Sequence, residues 1–183
     1  MGPQLLRLWR DVRGVSALEF ALILPILAAL IAGTLEYGRM ILLSQKLQNG
    51  TFILADLAAR DKTLSEDQLD SIFLAINNII QPFAFEQEGA AIISGVEIND
   101  DGDPVIQWQR TGFDGLEAPS RIGDVGDEAE LPDVLTFAPG ETLIVSEVFY
   151  DFVPIFGLTT GPHILYKVAY VKPRIGTLTS LAP

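Results

Sequence analysis

The chain has 183 residues, of which 49% are hydrophobic, yet it carries a formal net charge of −12. The acidic balance argues against a nucleic-acid partner, because phosphates would repel it. The lack of cysteine excludes a disulfide framework and thiolate metal ligands. Apolarity and charge are segregated along the sequence: residues 14–35 contain one ionisable side chain, Glu19, whereas residues 100–133 are rich in Asp, Glu and Gly.

A short basic segment, residues 1–14, precedes the apolar run. It carries Arg7, Arg10 and Arg13 against a single acid, Asp11. Arginines concentrate on the cytoplasmic side of membrane helices. We therefore expect this end of the chain to stay in the cytoplasm, and the chain beyond the apolar run to be exported.

The apolar run, Val15–Leu35, predicts a membrane helix. At a rise of about 1.5 Å per residue, some 20 residues cross a hydrocarbon core of about 30 Å. One interpretation is a secretory signal that is cleaved near the small residues Ala32, Gly33 and Thr34. A second is a plain uncleaved signal anchor. A third must account for Glu19.

Glu19 is unusual because a charge at the centre of a membrane helix costs about 2.5–3.5 kcal/mol, and somewhat less near its end. It could simply snorkel at the cytoplasmic interface. Alternatively, a cut after Gly14 would give Val15 a new α-ammonium and make Glu19 the fifth residue, where a carboxylate suits the helix macrodipole. In a bundle of staggered parallel helices, this carboxylate could meet a neighbour's ammonium and fix the register.

This N-terminal pattern resembles known pilin sequences. Gly14, followed after four residues by Glu19-Phe20 and an apolar run, resembles the class III signal peptide of type IV pilins. The longer string "RGVSALEFALILPILAALIAGTLEYGRMILLSQKLQNGT" is similar to the TadE-like family of minor pilins, or pseudopilins, of tight-adherence (Tad) pilus systems. The later string "VSEVFYDFVPIF" is similar to a strand of that family. The further matching features are Pro25, Glu36-Tyr37-Gly38-Arg39 and Gln48-Asn49.

The resemblance implies how such a protein would be processed and with what it would assemble. It implies cleavage between Gly14 and Val15 by a prepilin peptidase, and roles in processing and assembly for Glu19 and Phe20. It implies a single-pass inner-membrane protein with a periplasmic C-terminal domain that can enter the pilus at the cell surface. The implied partners are other minor pilins, the major pilin, the prepilin peptidase and the inner membrane.

The helical pattern continues beyond the apolar run, to about residue 60. Apolar residues recur there at spacings of three, four and seven, which predicts an amphipathic helix whose apolar stripe packs against the exported sheet. Contact with another subunit is the alternative for this stripe. Pro25 should kink the membrane half, because it lacks an amide proton. The stripe consists of Met40, Leu43, Leu47, Leu54 and Leu57.

A second helix is predicted over Thr63–Ile80, with Ser65 as its N-cap and Pro82 just beyond its end. The sequence period then changes. The strings "AAIISGVEIN" and "VIQWQR" flank the turn signal "DDGDP" and predict a hairpin. The strings "ETLIVSEVFYDFVPIF" and "HILYKVAYVKPR" predict two more strands.

Together these elements predict an α+β fold of the type IV pilin kind, with a long N-terminal helix packed on an antiparallel sheet of about four strands. We divide the chain into a basic leader that is cleaved, the transmembrane half of helix 1, the amphipathic half of helix 1 and an exported α+β head. These parts comprise residues 1–14, 15–35, 36–60 and 61–183.

Two acidic stretches invite other interpretations. The string "NDDGD" suggests a calcium site of the EF-hand kind. Such a loop needs glycine at its sixth position and glutamate at its twelfth, whereas counting from Asn99 places glycine fourth and Arg110 twelfth. A solvated turn is the favoured interpretation. Residues 111–140 predict a long connecting loop whose charge solvates the surface, with partner binding left open.

We predict that the protein is not an enzyme and uses no metal, cofactor or small-molecule substrate. Its one histidine, His163, stands alone, and the sequence has neither a cysteine nucleophile nor a glycine-rich phosphate loop. Two functions remain. The first is a minor pilin that helps to initiate or cap a Tad-type IV pilus involved in surface adhesion. The alternative is an uncleaved membrane-anchored periplasmic binding or scaffold protein.

Overall fold

The computed structural model of the chain describes residues 13–61, 63–113, 115–158 and 164–174, with residues 176, 178, 180 and 181. Residues 1–12 of the predicted leader and His163 therefore lie outside the described residues. The described residues form two compact units. The first comprises those within Met1–Arg39 and Pro154–Thr160, and the second those within Met40–Val153 and Gly161–Pro183.

Helix α1, Arg13–Ala58, is 46 residues long and supplies residues to both units. It contains both the predicted apolar run and most of the predicted amphipathic continuation, and it continues through Pro25. The kink expected at Pro25 stays a prediction. In the first unit every side chain from residue 15 to residue 31 is exposed.

Helix α2, Glu66–Ile80, confirms the predicted second helix in the second unit, and Ser65 caps it. The backbone amide of Gln68 donates to the Ser65 hydroxyl, and the Ser65 amide donates to the Gln68 side chain at 2.9 Å. This reciprocal arrangement satisfies amides that have no partner within the helix. A short helix, α3, follows at Phe85–Glu88.

The four strands are β1, Gly89–Ile98; β2, Pro104–Gly112; β3, Thr142–Asp151; and β4, Ile164–Val171. They form one antiparallel sheet in the order β2-β1-β3-β4. The predicted hairpin is the β1–β2 pair, and Asn99 closes its turn by accepting the Asp103 amide at 2.7 Å. The α+β layout expected from the sequence is thus confirmed.

One face of the sheet is covered by helices, as the apolar stripe predicts. In the second unit Leu43, Leu47 and Leu54 of α1 are buried, and Met40 and Leu57 pack against the same core. The indole of Trp108 belongs to this core and donates a 2.9 Å hydrogen bond to the Leu178 carbonyl. The core also contains Leu69, Ile72, Phe73, Ile76 and Ile80 of α2, and Ile93, Ile144 and Val148 of the sheet.

The opposite face of the sheet is covered by the long segment between β2 and β3. The segment lacks helices and strands over its described residues 115–141, as expected for a connecting loop. It does more than solvate a surface, however, because Ile122 and Ala129 are buried against Val96, Ile106 and Val145. Strand β1 is apolar on both faces, so the sheet has a second apolar face that something must cover.

Candidate functional site

The residues predicted to take part in processing and assembly lie together at the start of α1. Gly14 and Val15 are in its first turn, so the peptide predicted to be cleaved is helical here. Glu19 is four residues beyond Val15, which places both side chains on one helix face. The side chains of Glu19 and Phe20 are both exposed. A new amino group at Val15 would therefore lie one helical turn, about 6 Å along the axis, from Glu19.

The surface around these residues is apolar on every side of the helix. Phe20, Leu22 and Leu30 each expose more than half of their accessible surface, although they lie on different faces. A helix that is apolar all round is stable only when lipid or other helices cover it. Among the described residues, α1 is the one helix that is long and apolar enough to cross a membrane. This feature fits a single-pass membrane protein.

A buried carboxylate, Glu36, directly follows the apolar run in the first unit. It is 0% exposed. One of its oxygens accepts the Phe156 amide at 2.6 Å, and the other accepts the Leu158 amide at 2.9 Å. Gly33 lies beside the same segment, since a β-carbon added there would be 4.0 Å from Leu158 Cδ1. The sequence had indicated Glu36 only as part of the family pattern and did not predict this contact.

A second buried carboxylate, Glu147 of β3, lies in the second unit. It accepts hydrogen bonds from the Ser120 hydroxyl at 2.5 Å, the Arg121 amide at 2.9 Å and the Tyr166 hydroxyl at 2.9 Å. The Arg121 guanidinium lies 4.2 Å from the centroid of the Tyr166 ring. Burial, together with the charge of Glu147, raises the pKa of Tyr166. The phenol therefore stays protonated as a donor, and Glu147 ties the β2–β3 segment to the sheet.

Both buried carboxylates accept hydrogen bonds from backbone amides, and Glu147 also accepts them from two side-chain hydroxyls, so each holds segments of the chain in place. Within the part of the chain that the structure describes, no group of three His, Asp or Glu residues could hold a metal ion. In the acidic β1–β2 turn, the Asn99 side-chain oxygen accepts the Asp103 amide, an arrangement that closes the turn.

Comparison with known proteins identifies the N-terminal segment. The family model described as TadE-like protein matches residues 14–56, which include Gly14, Glu19, Phe20 and Glu36. The match confirms the resemblance seen in the sequence and indicates a protein associated with a Tad pilus system. This family is not known for enzymatic activity. Comparisons with curated proteins and with solved structures gave no match.

Proposed function

Because residues 14–56 match the TadE-like family, we propose that this protein is a minor pilin, or pseudopilin, that helps to initiate or cap assembly of a Tad-type IV pilus for surface adhesion. The supporting observation is the exposed apolar surface of α1 between residues 15 and 31. Lipid covers this surface while the protein is stored in the inner membrane. Neighbouring pilin helices cover it after extraction, since van der Waals packing between helices can replace contacts with lipid.

Prepilin peptidase prepares the helix for this transfer by cutting between Gly14 and Val15. The removed segment contains three arginines and one aspartate, so the net charge changes from −12 to −14. Those arginines favour the cytoplasmic side and oppose movement of the helix out of the membrane. Cleavage therefore removes a barrier to extraction at the same time as it creates the amino group at Val15.

In the assembled bundle Glu19 pairs with the Val15 ammonium of its own chain or of a neighbour. An unpaired charge buried among apolar helices is costly, whereas a well-placed opposite charge compensates for it. The pair consequently favours one stagger between neighbouring helices. Phe20, exposed on the adjoining face, packs into the same contact.

The proposed topology places the N-terminus in the cytoplasm and the second unit in the periplasm, supported by the arginines that precede α1. The proposed partners are other minor pilins and the major pilin, which supply matching apolar helices, and the prepilin peptidase. This arrangement needs no cofactor.

Mass spectrometry of the protein isolated from its native cells tests the processing step. We expect a chain that begins at Val15 in the pilus-associated fraction. A Gly14→Val variant, in which a β-branched side chain replaces the glycine, should keep its leader and form no pili. Normal filaments built from an uncut chain would contradict the proposal and favour the membrane-anchored periplasmic scaffold.

Substitution of Glu19 tests the pairing step. Glu19→Ala removes a charge from the apolar helix, so membrane insertion should be unchanged or improved, as measured by resistance to alkaline extraction. Pilus assembly should be lost because the bundle no longer has its charge pair. Ser16→Ala, in the same turn of α1, is the matched control and should assemble normally. Normal piliation by Glu19→Ala would show that the pair has no role.

A further inference from the structure

The first unit contains a short apolar segment, Pro154–Leu158, that is separate from α1 in sequence. It reads Pro-Ile-Phe-Gly-Leu and carries no charged or hydrogen-bonding side chain. Its three large side chains are nevertheless exposed: Ile155 by 64%, Phe156 by 49% and Leu158 by 41%. Three neighbouring apolar side chains exposed together indicate a contact surface, whereas single exposed ones need no explanation.

The position of this segment along α1 is fixed by contacts within the first unit. Its Phe156 and Leu158 amides bind Glu36, and the Leu158 side chain lies near Gly33. Glu36 directly follows Leu35, the last residue of an apolar run whose length matches a hydrocarbon core of about 30 Å. When α1 spans a bilayer, the segment therefore lies at the boundary where the helix leaves the hydrocarbon.

Glu36 supplies the hydrogen-bond acceptors that the irregular backbone of this segment needs near lipid. Backbone amides outside regular structure are tolerated near lipid only when the protein supplies their hydrogen-bond acceptors, since the hydrocarbon supplies none. The carboxylate accepts hydrogen bonds from two amides of the segment at once. The exposed ring of Tyr37 lies at the same level, where aromatic side chains favour the membrane interface.

We propose that Pro154–Leu158 is a second membrane contact. It inserts Ile155, Phe156 and Leu158 between the headgroups and acyl chains of the leaflet at which α1 exits, and Glu36 holds it there. Lipid is the partner because the segment adjoins the apolar surface of α1 and offers no polar side chain to a protein. The inference depends on the membrane span of α1 and is independent of cleavage and of the pilus.

Because the chain has no cysteine, single spin labels can test the proposal in the full-length protein. The protein would be reconstituted in vesicles of phosphatidylethanolamine and phosphatidylglycerol with labels at Phe156→Cys, Leu24→Cys or Val134→Cys. Paramagnetic resonance then compares collisions with oxygen, which concentrates in lipid, and with a water-soluble nickel complex. Leu24 lies in the proposed span, and Val134 is an apolar residue of the second unit that is 84% exposed.

We expect the ratio of oxygen to nickel accessibility at residue 156 to be several-fold higher than at residue 134, and closer to that at residue 24. A water-like ratio at residue 156 with a lipid-like ratio at residue 24 would overturn the proposal and leave the anchor intact. Water-like ratios at both would overturn the span itself. Protection of residue 156 from both reagents would show that protein covers the segment, which also overturns the proposal.

The role of Glu36 is tested in the same labelled background. Adding Glu36→Gln to Phe156→Cys should lower the oxygen-to-nickel ratio at residue 156, because an amide cannot accept both backbone hydrogen bonds through two oxygens. Glu19→Gln, also on α1, is the control and should leave the ratio unchanged. An unchanged ratio in Glu36→Gln would show that Glu36 does not hold the segment in the interface.

Discussion

The Ser146 hydroxyl of β3 donates a 2.6 Å hydrogen bond to the backbone carbonyl of Thr51 in α1, and both residues are buried. The Thr51 hydroxyl in turn donates to the Leu47 carbonyl at 2.7 Å. These polar contacts lie within the otherwise apolar contact between α1 and the sheet. A helix shifted along the sheet would leave the Ser146 hydroxyl buried without an acceptor, so the bond favours one register.

Replacing this hydroxyl should weaken the second unit measurably. Ser146→Ala should lower the free energy of unfolding by about 1 kcal/mol, the usual net value of a hydrogen bond. Urea unfolding followed by tryptophan fluorescence measures the change. The control is Ser71→Ala on the exposed side of α2, which should stay within about 0.5 kcal/mol of the original protein. Equal midpoints for the two variants would show that the Ser146 bond does not contribute to stability.

Gly95 should tolerate no side chain, because Trp108 lies against its backbone. A β-carbon at Gly95 would be 2.1 Å from Trp108 Nε1, and the indole is buried. Gly95→Ala should therefore destabilise the second unit by about 1–3 kcal/mol through overpacking. The matched control is Gly38→Ala, where nothing lies within 4 Å of the added carbon. Thermal unfolding that is equally unaffected in both variants would contradict the close packing.

Tyr166 should ionise later than an ordinary tyrosine as the pH is raised. Its pKa is raised above the ordinary value of 10.0 by burial and by the Glu147 carboxylate. A raised pKa means that its contribution to stability is complete below pH 10 and is lost as the pH rises through the folded-state pKa. The absorbance step near pH 10 at 295 nm should therefore be the same in Tyr166→Phe as in the original protein. A smaller step in the variant would contradict the raised pKa.

The same variant should show how much the hydrogen bond from Tyr166 to Glu147 contributes to stability at neutral pH. Tyr166→Phe keeps the ring under Arg121 but removes the donor, so the free energy of unfolding should fall by about 1 kcal/mol. Urea unfolding measures the loss. The loss should be smaller in a Glu147→Gln background, because a neutral amide oxygen accepts a weaker hydrogen bond than a carboxylate does. A loss of equal size in both backgrounds would indicate that the tyrosine acts by other contacts.

Hydrogen exchange should detect the two bonds to Glu36 directly. In Glu36→Gln one of the Phe156 and Leu158 amides loses its acceptor, because the Gln side chain has a single oxygen. That amide should exchange roughly tenfold faster, since about 1.4 kcal/mol of lost stabilisation corresponds to a factor of ten. Mass spectrometry of peptides that cover this segment measures the rate in the detergent-solubilised protein. Glu19→Gln should leave it unchanged. Equal exchange in Glu36→Gln and the original protein would mean that the carboxylate does not protect these amides.

The sequence predicted the elements whose signals are local. The stripe of Leu43, Leu47 and Leu54 and the cap at Ser65 are visible within a few turns of helix, and both appear in the structure. The alternation in β3 predicted a strand for the same reason. Periodicity and capping depend on neighbouring residues, so one sequence suffices to recognise them.

The two buried carboxylates could not be predicted in this way. Glu36 binds amides some 120 residues away, and Glu147 binds Ser120 and Arg121 through a segment with no regular pattern. A weaker signal was available, because Glu147 interrupts the apolar string "LIVSEVFY" and Glu36 directly follows an apolar run. A charge in such a place requires a buried partner, although the sequence does not identify which one.

The position of Trp108 gives the proposed maturation an optical signature. The only other tryptophan, Trp9, precedes Gly14, so the proposed trimming there would leave a single indole in the molecule. That indole is buried beside Gly95 and bonded to the Leu178 carbonyl. Emission from the trimmed chain would then report solely on the packing of the head, and the lost contribution of Trp9 would register the cut itself.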